Sequence, residues 1–339
     1  MAKVAINGFG RIGRITLRVL QKRGFPLELV AINDPFLSPE TAAHLVKYDT
    51  VYGRAPFEVK GKDGALVIDG REVPFLAEKA PEKLPWGKLG VDVVIESSGV
   101  FREYEKAELH LKAGAKRVLI SAPPKGARKK EIPQILYRIN EDDFDPGKHR
   151  IVSAASCTTN SLGPVVKVLR DAFGLEHGFL TTVHGYTADQ RLVDAPHRDL
   201  ARARAAAANI IPTSTGAARA IPAIFPDLEG KMDGIAMRVP VPCGSVSDFT
   251  AKLERPVTLE EVKKAFVEAA KGPLGDVMLV TEDFIVSSDV LGEDHSAVVA
   301  LAYTMVLEGA KDVVKVLSFY DNEWGYVNRL LDVAGLVAK

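Results

Sequence analysis

The run Gly8-Phe9-Gly10-Arg11-Ile12-Gly13 constrains this chain more than any other stretch. It follows an apolar strand-forming run, Val4-Ala5-Ile6, and opens an apolar-periodic segment that continues to Leu20. The first two glycines permit a tight turn and close approach of a pyrophosphate. The third lets a helix pack on the strand, and the helix N-terminus adds N–H groups and positive potential. Asp34 closes the next apolar run, Leu27–Asn33, and lies 21 residues beyond Gly13. An acidic residue there accepts hydrogen bonds from both ribose hydroxyls. Strand, turn, helix and carboxylate together predict a dinucleotide site. Asp34 favours NAD, because a 2′-phosphate would face a like charge. An Asx cap before Pro35 is its structural alternative.

The same alternation continues. Val91–Ser97 and Arg117–Ser121 read as apolar strands around a helical stretch at Glu105–Lys112, and Ile151-Val152 as the last strand of this half. Strands alternating with helices imply a doubly wound parallel sheet. Beyond residue 157 the pattern shifts to longer strands, expected at Phe179–His184, Gly234–Val239, Asp248–Glu254, Phe284–Ser288, Ala297–Thr304 and Val313–Tyr320. Thr258 with Glu261 is a capping box opening a helix that buries Val262, Phe266 and Ala269. Runs of strands with few helices imply a mostly antiparallel sheet covered on one face. A final amphipathic helix is expected from about Trp324.

Ser156-Cys157-Thr158-Thr159-Asn160 leads into a helix whose Leu162, Val165, Val166, Leu169 and Phe173 share one face, with Gly174 as the stop signal. Cys157 is thereby placed at a helix N-terminus, where N–H groups and a nearby imidazole stabilise a thiolate. His184 ends a strand and precedes Gly185-Tyr186-Thr187. Taken alone, each has a bland reading, a packed thiol and a structural strand histidine. Beside a dinucleotide site they predict oxidation of an aldehyde. Cys157 attacks to give a thiohemiacetal, and His184 removes the hydroxyl proton as hydride departs. The Cys157 N–H and the imidazole stabilise the oxyanion, and a thioester results. Cys243 has no such context and is expected to be an ordinary packed thiol.

The glycine fingerprint, the S-C-T-T-N string and the V-H-G-Y-T string around His184 resemble the phosphorylating glyceraldehyde-3-phosphate dehydrogenases, over essentially the full length. The resemblance implies a Rossmann-type domain of residues 1–156 and 322–339 and an α+β catalytic domain of residues 157–321. It implies NAD contacts at Asn7, Gly8, Gly10, Arg11, Ile12, Gly13, Ser98, Gly99, Ser121 and Asn322, beside Asp34. It places Thr187 and Arg238 on the substrate phosphate, and Ser156, Thr158, Thr215 and Gly216 on the attacking inorganic phosphate. The substrate implied is glyceraldehyde 3-phosphate, and the assembly a cytoplasmic homotetramer. Pro196 matches NAD-dependent relatives, although Ala195 stands where they carry Leu. Weak use of NADP is expected, with Lys79 meeting the 2′-phosphate should Asp34 rotate aside. Arg204 is assigned mainly to scaffold ion pairs. Ala154 and Ala201 depart from the family pattern without removing a catalytic group.

Two other readings compete. Erythrose-4-phosphate dehydrogenase shares the cysteine, the histidine and the cofactor fold, but lacks the equivalents of Thr187 and of the full Pro212–Gly216 run, which reads as a loop in this chain. A Rossmann-type redox sensor or RNA-binding protein would need no paired phosphate residues. Forty-four Lys plus Arg against 44 Asp plus Glu give no basic footprint for nucleic acid or an anionic membrane as the primary partner. No apolar run reaches ~18 residues, so neither a membrane span nor a signal peptide is expected. The two cysteines lie far apart and in no metal-ligand spacing, which suits a reducing compartment and no bound metal.

Overall fold

The computed structural model describes residues 1–339 and divides into two compact units, Met1–Ala155 with Val327–Lys339, and Ser156–Tyr326. The first is built on β1 (Ala2–Asn7), α1 (Arg11–Arg23), β2 (Leu27–Asn33), α2 (Pro39–Lys47), β3 (Val59–Lys62), β4 (Ala65–Ile68), β5 (Arg71–Leu76), β6 (Val93–Glu96), α3 (Tyr104–Lys112), β7 (Arg117–Ile120) and β8 (Ile151–Ser153). Its sheet runs β8-β7-β6-β1-β2-β5-β4-β3. The strands from β8 to β5 pair in parallel, as the alternation predicts. The antiparallel extension β3-β4-β5 was not legible in the sequence. Its strands are short, and the first, Val59–Lys62, is mostly polar.

Register decides where a ligand can sit. Asn33 pairs with Asn7, Asn7 with Glu96, Glu96 with Ile120, and Ile120 with Ser153. The carboxyl ends therefore form one row, and the chain winds outward in opposite directions from β1. A crevice at such a switch point is where open α/β sheets bind ligands. The strands are buried on both faces, with Val4, Ala5, Ile6, Val93, Val94 and Ile95 fully enclosed.

The second unit contains α4 (Cys157–Phe173), β9 (Leu175–Gly185), β10 (Ile211–Ser214), β11 (Met232–Val239), β12 (Ser245–Leu253), α5 (Leu259–Lys271), β13 (Met278–Thr281), β14 (Ala297–Ala300) and β15 (Val313–Tyr320). α6 (Trp324–Val337) begins in this unit and ends in the first. The sheet order is β10-β11-β9-β12-β15-β14-β13. Most pairs are antiparallel, but β9–β11 and β13–β14 run parallel. The expected capping box is present, with Thr258 Oγ1 accepting from Glu261 N and Glu261 accepting from Thr258 N. The apolar face of α4 is buried as predicted, whereas α5 buries Val262 and Phe266 but leaves Ala269 partly exposed.

Three strand assignments need correction. Phe284–Ser288 is not a strand: Asp289 caps Val286 N and a 3-10 turn follows at Ser287–Val290. The strand expected over Ala297–Thr304 stops at Ala300 and gives way to a 3-10 turn. Pro212-Thr213-Ser214, expected in a loop, belongs to β10. That strand lies at the sheet edge, where a proline needs no ladder N–H on its open side.

Candidate active site

The strand–turn–helix that delivers Cys157 has a local cause. Ala155 adopts φ +56°, a left-handed conformation unfavourable to a residue bearing Cβ, and its N–H donates to Ser153 Oγ at 3.0 Å. Ser156 then caps α4, its Oγ accepting from Thr159 N at 3.1 Å. Cys157 is the first helical residue.

His184 and Arg238 are partners in the parallel β9–β11 register, so their side chains leave the same face. His184 Nε2 lies 3.5 Å from Cys157 Sγ. Its Nδ1 is 2.7 Å from the Gly185 carbonyl, and the tautomer with its proton on Nδ1 satisfies that acceptor and turns the Nε2 lone pair to the thiol. Arg238 Nη1 donates to the same carbonyl at 3.0 Å and lies in close contact with His184 Nδ1. A residue that sequence reasoning missed completes the cluster. Tyr320, buried at the end of β15, bridges Thr158 Oγ1 on the helix and Thr182 Oγ1 on β9, at 2.9 Å each. Its ring meets His184 edge to face. In the sequence it is only the last residue of an apolar strand.

The electrostatics differ from the expectation of a stabilised thiolate. Burial pushes the Cys157 thiol up, more than Arg238 and the Thr158 hydroxyl and N–H pull it down. Burial, reinforced by the Arg238 cation, holds His184 down at about 3. Both shifts favour thiol and neutral imidazole over the ion pair. Burial also raises the Tyr320 phenol, which keeps its hydroxyl neutral.

Arg238 Nε and Gln190 Nε2 are buried without a hydrogen-bond partner. Arg238 forms no ion pair with a carboxylate, so its charge remains available for an anion. Thr187 lies partly buried on the segment after β9, its N–H donating to Gln190 Oε1 at 3.2 Å. Thr215 Oγ1 accepts from Ala217 N, and Gly216 beside it is exposed. Ser156 and Thr158 are already engaged, as cap and Tyr320 partner. Arg204 pairs with Asp194 at 2.9 Å in solvent, and Arg202 with Asp189. Cys243 is buried and donates to Asp321 Oδ1 at 3.2 Å. Asn322 Oδ1 accepts from Ser245 Oγ at 2.8 Å and from Gly244 N at 3.1 Å.

In the first unit, Asn7, Gly8, Gly10, Asp34, Lys79 and Ser98 line one cleft of about 320 Å³. Asn33, Phe36, Glu78, Pro81, Val100 and Phe101 line it too, and the sequence did not single these out. Lys79 Nζ sits 5.6 Å from the Phe36 ring. The glycines fit a compact turn. A Cβ on Gly8 would stand 2.4 Å from Ser98 N, and one on Gly13 2.3 Å from Gly8 O. Asp34 Oδ2 accepts from Phe9 N at 2.8 Å and Oδ1 from Phe36 N at 3.0 Å. The Asx-type bond is therefore real, yet each oxygen retains a lone pair for a ribose hydroxyl. Arg11 pairs with Asp49, and Ile12 and Gly13 follow it in the first turn of α1. Gly99 has φ +75°, and Ser121 N donates to Glu96 O at 2.9 Å.

A doubly wound sheet with this glycine turn, in one chain with a thiol and an imidazole in contact and a guanidinium without a carboxylate partner, is the framework of a dinucleotide-using oxidoreductase. Residues 2–104 match the family described as glyceraldehyde 3-phosphate dehydrogenase, NAD binding domain, and residues 156–322 match its C-terminal domain. The chain belongs to the glyceraldehyde 3-phosphate dehydrogenase family. It is 51% identical over 338 residues to the glyceraldehyde-3-phosphate dehydrogenase of Streptomyces coelicolor, covering 99% of this chain and 98% of the relative. It is 49% identical over 337 residues to that of Geobacillus stearothermophilus, at 99% and 98% coverage. It is 49% identical over 343 residues to that of Clostridium acetobutylicum, at 100% and 99%.

Proposed function

We propose that this chain oxidises glyceraldehyde 3-phosphate to 1,3-bisphosphoglycerate with NAD and inorganic phosphate, through a thiohemiacetal and thioester on Cys157. The carrying observation is the Cys157–His184 pair at 3.5 Å with the Arg238 guanidinium beside it. Residues 1–156 and 322–339 serve as the nucleotide domain in this reading, and residues 157–321 as the catalytic one. The residues present fit NAD: Gly8 and Gly13 have no room for a Cβ, Gly10 faces open space, and Asp34 offers acceptors to a diol. Asn7, Gly8, Gly10, Arg11, Ile12, Gly13, Asp34, Ser98, Gly99, Ser121 and Asn322 would hold it. Lys79 stands ready for a 2′-phosphate. When bound, NAD supplies the hydride acceptor.

Cys157 Sγ bonds to the aldehyde carbon as its proton passes to His184 Nε2. The Cys157 N–H and the imidazolium stabilise the oxyanion, the imidazolium returns its proton to give the thiohemiacetal hydroxyl, and neutral His184 takes that proton back as hydride leaves the carbon and the carbonyl re-forms. Arg238 and Thr187 orient the substrate phosphate. Ser156, Thr158, Thr215 and Gly216 surround the phosphate that cleaves the thioester, giving an acyl phosphate and restoring the thiol. The test is absorbance at the reduced-nicotinamide band with glyceraldehyde 3-phosphate. Signal should accumulate catalytically with phosphate and stall near one equivalent without it. Equal turnover without phosphate would exclude a phosphorylating reaction.

Three expected results arise here. Arg238→Leu should raise KM for glyceraldehyde 3-phosphate and move the pH profile of Cys157 alkylation to higher pH. A cation beside a thiolate lowers the thiol's pKa, so its loss raises it; a shift to lower pH would contradict the arrangement. Asp34→Ala should impair NAD and improve NADP, read as the ratio of kcat/KM for the two cofactors, whereas the native chain should clearly prefer NAD. A ratio left unaltered would mean Asp34 does not read the ribose. Leu192, Val193 and Leu200 are exposed on the segment after β9, apolar side chains that fit a subunit interface. A cytoplasmic homotetramer is the assembly proposed, and light scattering that reports an active monomer would refute it. No helix is long and apolar enough to cross a membrane.

A further inference from the structure

Beneath the dinucleotide cleft lies a charged group that the chemistry above does not use. Glu96 ends β6, and its carboxylate is fully buried. Oε2 accepts from Asn7 Nδ2 at 2.6 Å and from His110 Nε2 at 3.0 Å. Oε1 accepts from Ser98 N at 2.9 Å and from Ser98 Oγ in a short bond. Four donors on two oxygens describe an ionised carboxylate satisfied by hydrogen bonds rather than by a cation.

The donor side can be assigned. Trp86 Nε1 lies 3.0 Å from His110 Nδ1, and an indole N–H only donates. Nδ1 is therefore unprotonated, and His110 is a neutral imidazole whose single proton, on Nε2, points at Glu96. The chain of bonds runs Trp86 to His110 to Glu96. From Glu96 it reaches the cleft. Asn7 Oδ1 accepts from Asn33 Nδ2 at 2.7 Å, and Asn33 exchanges two bonds of 2.9 Å with the Glu78 backbone. Ser98 Oγ gives its proton to Glu96 and accepts from Val100 N at 3.1 Å. That hydroxyl shapes the turn and has no proton left for a ligand.

We infer that Glu96 is a positioning residue for the dinucleotide, oriented by His110 and Trp86. It touches no part of the cleft itself but fixes Asn7 and Ser98, two of its walls, and through Asn7 the Asn33–Glu78 side. The closeness of Ser98 N to Gly8 transmits any tilt of the 98 turn directly to the glycine loop. An anion at this point organises donors from β1, from the turn after β6 and from α3, and a neutral amide cannot. This rests on the reading that the cleft takes NAD.

Glu96→Gln keeps the shape but sets an NH2 against the N–H and O–H of Ser98, or against the donors of Asn7 and His110. Its Kd for NAD, by isothermal titration calorimetry on the full chain, should rise about tenfold or more. The loss should fall on KM for NAD more than on kcat. Alkylation of Cys157 in the absence of NAD should keep its native rate, since that site lies in the other unit. The His110 pair decides the matter should Glu96→Gln fail to fold. His110→Gln can present an amide N–H to Glu96 and an amide oxygen to Trp86, and should bind NAD nearly as the native chain does. His110→Leu can present neither, and should bind several-fold more weakly. A Glu96→Gln protein with Kd within twofold of native, or equal Kd values for the two His110 variants, overturns the inference. A native chain that binds no NAD overturns the cofactor reading instead.

Discussion

Cys157→Ser is expected to yield a folded protein that binds NAD with native affinity and has lost turnover by on the order of 10⁴-fold or more. Serine caps and packs at the first turn of α4 much as cysteine does, so the fold has no reason to change. A hydroxyl facing a neutral imidazole is, however, a far weaker nucleophile than a thiol at neutral pH. Labelling gives an independent check on the same residue. Iodoacetamide should modify Cys157 well before Cys243, which is buried and hydrogen-bonded to Asp321. Activity that survives in Cys157→Ser, or inactivation that tracks modification of Cys243, would remove Cys157 from the mechanism.

His184→Asn should lower turnover by on the order of 10²–10⁴, the usual worth of general acid–base catalysis. It should also slow alkylation of Cys157 at pH 7, because no base remains 3.5 Å from Sγ to receive the proton. Removing one thiol–imidazole bond leaves the Tyr320 bridge between α4 and β9 intact, so NAD binding and melting temperature should stay near native. Unchanged turnover would show that the proton leaves by another route.

The nucleotide half was the more legible in the sequence because its information is local. Gly8, Gly10 and Gly13 are read within one turn, and Asp34 is one helix away. Parallel buried strands announce themselves as apolar runs. What stayed hidden depended on distant pairing. Glu96 reads as the polar end of an apolar run, and nothing nearby reveals that His110 and Trp86 converge on it. Likewise, Arg238 joins His184 only through the β9–β11 register, across more than fifty residues. Resemblance supplied it, and periodicity could not have done so. Phe284–Ser288 went wrong for the opposite reason. Its Phe-Ile-Val run has strand propensity, but Asp289 turns the backbone back before it can pair. Thiol chemistry at a helix N-terminus was foreseeable; the weight of burial on its proton was not, because enclosure is a property of the folded neighbours.

The ladder that joins His184 to Arg238 also decides which distances in this site can vary. Neighbouring strands in register behave as one plate, so the proton acceptor and the phosphate-sized cation keep a fixed spacing. The sulfur rides on a different body, the first turn of α4, joined to that plate through Tyr320 and its two threonine partners. A shift of helix against sheet would therefore change the distances from Sγ to His184 and to Arg238 together, while the spacing between those two residues stays as the register sets it. Changes packed behind α4 should thus alter turnover and the accepted substrate length in concert.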